Sequence, residues 1–127
     1  MDAATRTQVR RRAGNCCEYC GLAQEAVPVV TFHIEHIIPR QHGGGDDPSN
    51  LALACYHCNH HKGPNLTGID PETGEIIPLF NPRTQRWDEH FALEGREVVG
   101  LTPTGRTTVR VLTMNSDVQQ ELRAELG

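Results

Sequence analysis

The chain has 127 residues, of which 37% are hydrophobic and 5% aromatic, with a formal charge of -4 and a pI of about 5.9. That length suits one domain, or one domain with an appendage, around a modest core that a structural metal would help to stabilise. The acidic balance argues against tight, indiscriminate nucleic-acid binding through bulk charge, and no run reaches the length of a membrane span.

The opening stretch MDAATRTQVRRRAG lacks the apolar segment of a signal peptide. The expectation is a cytoplasmic protein whose thiols stay reduced, and five cysteines, an odd number, argue against a disulfide framework. Residues 3–13 read as a short helix ended by Gly14 and Asn15. Its arginines, Arg6, Arg10, Arg11 and Arg12, form either a solvated face or a patch for a phosphate backbone. The stretch CCEYCG (16–21) reads as a tight turn.

Residues 27–38 are rich in Val, Ile, Thr and Phe and read as strand, as one strand or as two in a hairpin. Residues 39–50, with Pro39, three consecutive glycines, two Asp and Ser, read as a loop. Residues 51–62 read as a helix capped by Ser49 or Asn50 and stopped by Gly63 and Pro64. Beyond it, DPETGE (70–75) reads as a turn, IIPLFNP as extended chain, and 87–99 as a hairpin turning at Glu94-Gly95. Residues 104–114 fit helix or strand, because Thr107, Val109 and Val111 oppose helix formation. Asn115 or Ser116 can cap a last helix over 117–126. Trp87, Phe80 and Phe91 read as the small core of this C-terminal part.

The chemistry-bearing residues are concentrated. Residues 32–63 hold six of the seven histidines and the only lysine. Cys17 and Cys20 form one CxxC pair, and Cys55 and Cys58 form another. Four thiolates in two such pairs match a tetrahedral structural Zn2+ site. A thioredoxin-like redox pair or ordinary buried cysteines would account for a single pair, and two pairs favour zinc. Cys16 is the spare, a bystander unless it replaces Cys17. The 34 residues between the pairs exceed the spacing of a simple zinc ribbon. The zinc therefore reads as a staple at the base of a strand-loop-helix unit whose own chemistry lies elsewhere.

That insert carries His33, Glu35, His36, His42 and Asn50. In a regular strand His33 and Glu35 share one face and His36 takes the other. For Glu35 and His36 to act together, the strand must end, bend or bulge there. Glu35 and Asn59 offer hard oxygen ligands, suited to Mg2+ or Mn2+ that keeps several waters. A neutral histidine beside them can take a proton from water. Carboxylate, amide, histidine and lysine together suit hydrolysis of a phosphodiester. His33 is either a further ligand or a packing residue. Arg40 is a candidate for phosphate contact, and so is Lys62, although a lysine at a helix C-terminus also suits the dipole.

In order along the chain, EYC, HIEHIIPRQHGG, NLALAC and CNHHKG resemble the zinc-containing branch of the HNH endonucleases, over roughly residues 15–63. The resemblance implies an α+β ββα-metal module. His36 would be the general base, Glu35 and Asn59 would ligate the catalytic divalent ion, and Asn50 would hold the loop that orients the histidine. Cys17, Cys20, Cys55 and Cys58 would bind structural zinc. The acid is Glu where the family more often has Asp, and the chain is less basic than is usual for the family. The expected organisation is a zinc-clamped module over 1–66 and a short β-rich extension with a terminal helix over 67–127.

The expected function is metal-dependent hydrolysis of phosphodiester bonds in nucleic acid, DNA ahead of RNA, one strand at a time. Two alternatives remain: a non-catalytic zinc-stapled module that binds nucleic acid or protein, and a thiol redox protein. No sequence pattern specifies an oligomeric state.

Overall fold

The computed structural model describes residues 1–125. Helix α1 spans Ala3–Arg12. Asp2 caps it by accepting from the Thr5 amide at 2.8 Å, and Gly14 and Asn15, at φ 63° and 58°, end it. The arginines are not one solvated face. Arg10 donates to the Phe32 carbonyl, and Arg12 donates to those of Pro48 and Leu51. The helix thus clamps the two strands beneath it, which leaves Arg6 and Arg11 as the arginines free for solvent.

The strand reading of 27–38 shrinks to β1, His33–His36, and its partner is not a neighbour within that segment. It pairs antiparallel with β2, Leu51–Ala54, in the register His33 to Ala54 and His36 to Leu51. The expected helix over 51–62 therefore splits. Leu51 to Ala54 are fully buried. An apolar run covered on both faces gains more as a buried strand than leucine and alanine gain from helix propensity. Helix α2 begins only at Tyr56 and runs to Lys62, and the Cys55 sulfur, accepting from the Cys58 amide, is its cap. Neither Ser49 nor Asn50 caps it. Glu18, from the first cysteine turn, clips the outside of β2, its amide donating to the Leu53 carbonyl and its carboxylate accepting from the Leu53 amide.

The C-terminal part follows its expected pattern closely. Strands β3 (Thr67–Ile69) and β4 (Ile76–Pro78) form a hairpin around the 70–75 turn. A single helical turn, α3 (Trp87–His90), leads into the hairpin of β5 (Phe91–Glu94) and β6 (Glu97–Gly100). Residues 103–111 resolve to helix α4, Pro103–Val111. Thr102 caps it and Pro103 opens it, which outweighs the β-branched residues. Gly105 is forced by contact: a Cβ there would lie 2.0 Å from the His90 carbonyl oxygen. Helix α5 spans Asp117–Glu125, with the Ser116 hydroxyl accepting from the Gln119 amide. Residue 126 of the expected terminal helix lies outside the described residues.

Both parts of the chain share one core. Val9, Tyr19, Phe32 and Leu53 from the first part join Phe80, Phe91, Leu112 and Met114 from the second. Burying each large apolar side chain contributes about 1.5–3 kcal/mol before entropy is counted. Phe80, Phe91 and Trp87 pack together as expected, Phe80 edge-on to Phe91 and Trp87 stacked on it, with centroids 5.1 Å apart in each pair. Trp87 also reaches out of that group, and its indole N–H donates to the Tyr19 carbonyl at 2.7 Å. Arg83 pairs with Glu18. The extension therefore packs directly on the first cysteine turn. No helix among the described residues is long and apolar enough to cross a membrane.

Candidate active site and metal centre

Cys17, Cys20, Cys55 and Cys58 converge as the spacing requires. Their four sulfurs are buried and lie within 4.8 Å of one another. The Cys20 and Cys55 sulfurs are 3.8 Å apart. Zn–S bonds of about 2.3 Å in a tetrahedron give an S–S edge of about 3.8 Å, so the cage fits zinc. The Cys20 and Cys58 amides donate to Cys17 and Cys55 sulfurs, which stabilises thiolate character. Gln119 on α5 points its amide at the Cys20 and Cys55 sulfurs, each at 3.8 Å. This contact between the last helix and the metal centre left no signal in the sequence. All five cysteines are free, and Cys16 stands outside the cluster.

The second constellation gathers where β1 ends. Glu35, His36, Arg40 and Asn59 line one shallow groove, together with Ile34, Pro39 and Gly63. The strand does stop at His36, as joint action of Glu35 and His36 requires. Lys62 enforces the stop from below. Its ammonium donates to the Ile37 carbonyl at 3.1 Å and the His36 carbonyl at 3.4 Å, and it pairs with Glu35 at 3.1 Å. Lys62 is only 2% exposed. It is a buried counter-ion rather than a surface charge for a nucleic-acid backbone, because its stem runs inward from the last turn of α2.

Glu35 is buried between that ammonium and the Tyr19 hydroxyl, which donates to its other oxygen. Burial pushes the Glu35 carboxyl above its ordinary value, and Lys62 and Tyr19 pull it back. Burial and the neighbouring Glu35 charge push the Tyr19 phenol well above its ordinary value, so it stays a donor. Each carboxylate oxygen has two lone pairs. Glu35 therefore keeps capacity to ligate a cation from the groove, with Asn59 as a second hard oxygen donor. Two protein oxygens with the remaining positions left to water fit Mg2+ or Mn2+.

Asn50 braces the loop over this groove. Its side chain accepts from the Ile38 amide at 2.8 Å and donates to the Ile38 and Gly45 carbonyls at 3.0 and 2.9 Å. Gly44 makes this closure fit: a Cβ there would sit 1.6 Å from the Ile38 carbonyl oxygen. His36 donates from Nε2 to Asp46 Oδ1 at 2.7 Å, and Arg40 donates to the same oxygen at 2.8 Å. Arg40 remains largely exposed. His33 stands apart from the groove lining. It is exposed, with its ring 6.1 Å from that of Tyr56. Tyr19 and Asp46 were missed as site residues. Tyr19 sits inside a motif that the cysteines explain, and Asp46 sits in a loop whose polar residues all suit turns.

Residues 17–65 match the family model described as HNH endonuclease. This segment is similar to the HNH endonucleases over that range. The match covers less than half of the chain and contains all four clustered cysteines, Glu35, His36, Asn50 and Asn59. No curated protein and no solved structure matches the chain. The matched segment includes both halves of the cysteine cage and the whole groove between them. It leaves out α1, which clamps the two paired strands, and the chain from β3 onward, from which Arg83, Trp87 and Gln119 reach the first cysteine turn.

Proposed function

We propose that this protein is a metal-dependent HNH endonuclease that hydrolyses phosphodiester bonds in DNA, cutting one strand per event. The observation that carries the reading is the convergence of Glu35, His36 and Asn59 on one groove at the end of β1, inside the matched segment. His36 takes the proton of the attacking water. Glu35 and Asn59 would hold Mg2+ or Mn2+, which would supply stabilisation of negative charge on the phosphate and the leaving oxygen. Asn50 keeps the loop closed over the histidine. Arg40, exposed at the groove, is placed to meet a phosphate oxygen. The cysteine cage holds structural zinc and takes no part in the chemistry. Reduced thiols are required for that cage, which supports a cytoplasmic setting.

The test is nicking of supercoiled plasmid by zinc-loaded protein, with Mg2+, with Mn2+ and with neither. His36→Ala should lower the rate by roughly 100-fold to 10,000-fold while retaining zinc. Cleavage that survives this substitution sinks the role of His36. Absence of cleavage with either ion, alongside retained binding to DNA, favours the non-catalytic zinc-stapled module.

A further inference from the structure

His36 is half-buried, and its side chain hydrogen-bonds from Nε2 to Asp46. The backbone around Asp46 is fixed on both sides. Asn50 holds the Gly45 carbonyl before it, and Asp47 after it caps its own turn by accepting from the Ser49 amide at 2.9 Å. Arg40 donates to the same Asp46 oxygen as the histidine. The hydrogen bond to His36, with Arg40 beside it, holds the Asp46 carboxyl below its ordinary value, so the group is an ionised acceptor near neutral pH. An ionised carboxylate can only accept. A neutral imidazole facing it must therefore carry its hydrogen on Nε2 and its lone pair on Nδ1.

We propose that Asp46 is the positioning residue for His36, fixing the Nε2–H tautomer and the ring orientation so that Nδ1 is the atom that accepts the proton of water. This rests on the nuclease reading above and adds a residue to it. It also assigns Arg40 a second role, as a group that holds the Asp46 carboxylate in place when no phosphate is bound, beside the Met1 ammonium 3.4 Å from the other Asp46 oxygen. An imidazole in the opposite tautomer would present N–H where a lone pair is needed, and would not act as a base.

The test uses full-length zinc-loaded protein, 15N-labelled at histidine, without substrate. In wild type, at a pH where His36 is neutral, the His36 Nε2 should give the protonated-nitrogen signal and Nδ1 the lone-pair signal. In Asp46→Ala and Asp46→Asn that preference should be lost. The Asn variant keeps the size of the side chain but can donate as well as accept, so it separates tautomer control from loop packing. Both variants should retain zinc and lower kcat by roughly 10-fold to 100-fold, with KM no higher. A wild-type His36 protonated on Nδ1 overturns the proposal, and so do variants with unchanged tautomer and unchanged kcat. A wild type that fails to cleave with either Mg2+ or Mn2+ overturns the nuclease reading itself, and with it the base role, whatever the tautomer.

Discussion

Replacing Lys62 by Met keeps the volume of the buried stem and removes the ammonium that faces Glu35. The two side chains are 3% and 6% exposed and 3.1 Å apart. At an effective dielectric of about 20, that separation corresponds to roughly 5 kcal/mol of attraction. Losing one partner of a buried pair costs about 3–5 kcal/mol, a large part of the roughly 5–15 kcal/mol that stabilises a domain. The Ile37 and His36 carbonyls also lose their donor.

The effect should depend on pH, with a definite sign. Burial already raises Glu35, and without Lys62 it rises further. A carboxyl raised in the folded state costs nothing below its unfolded value of about 4.3, and its penalty grows as pH rises through the folded value. Lys62→Met should therefore be most destabilised near pH 8. The gap to wild type should narrow on acidification by up to about 1.4 kcal/mol per pH unit. Adding Glu35→Gln should restore most of the loss. Urea unfolding at fixed free zinc, between pH 5 and 8, measures all of this. A gap that does not change with pH, or a double variant as unstable as the single one, would refute the buried-pair argument.

The zinc cage and the glycine loop give two further tests. Cys55→Ser, or removal of zinc by a chelator, should unfold the region around α2 and the first cysteine turn, because zinc binding contributes roughly 10 kcal/mol or more in comparable sites. Near-UV circular dichroism should collapse, and a metal-free protein with an unchanged spectrum and melting temperature would contradict a structural role. Gly44→Ala should cost about 1–3 kcal/mol, since its Cβ would collide with the Ile38 carbonyl. It should also slow nicking by disturbing the loop that Asn50 braces. Gly45→Ala, which meets nothing within 4 Å, should be near neutral in thermal melts, and equal losses at the two positions would remove the steric explanation.

The sequence by itself determined the metal centre. Two CxxC pairs carry their own local geometry, and reduced cysteines at that spacing have few other uses, so the cage formed as read. The motif order singled out Glu35, His36 and Asn59, which line one groove, and Asn50, which braces the loop, and turn residues such as Asp70 and Gly95 placed the later hairpins. Local signals of this kind survive folding because a turn or a knuckle is settled by neighbours in the chain. Tertiary structure decided what local signals could not. LALA reads as helix in isolation, and it became β2 because α1, β1 and Glu18 surround it. Lys62 reads as a surface cation, yet its charge is turned inward by a carboxylate 27 positions earlier in the chain. Tyr19, Asp46, Trp87 and Gln119 take their roles from partners 10 to 99 residues away. Such contacts depend on where distant segments meet in the folded chain, and no window of neighbouring residues records that.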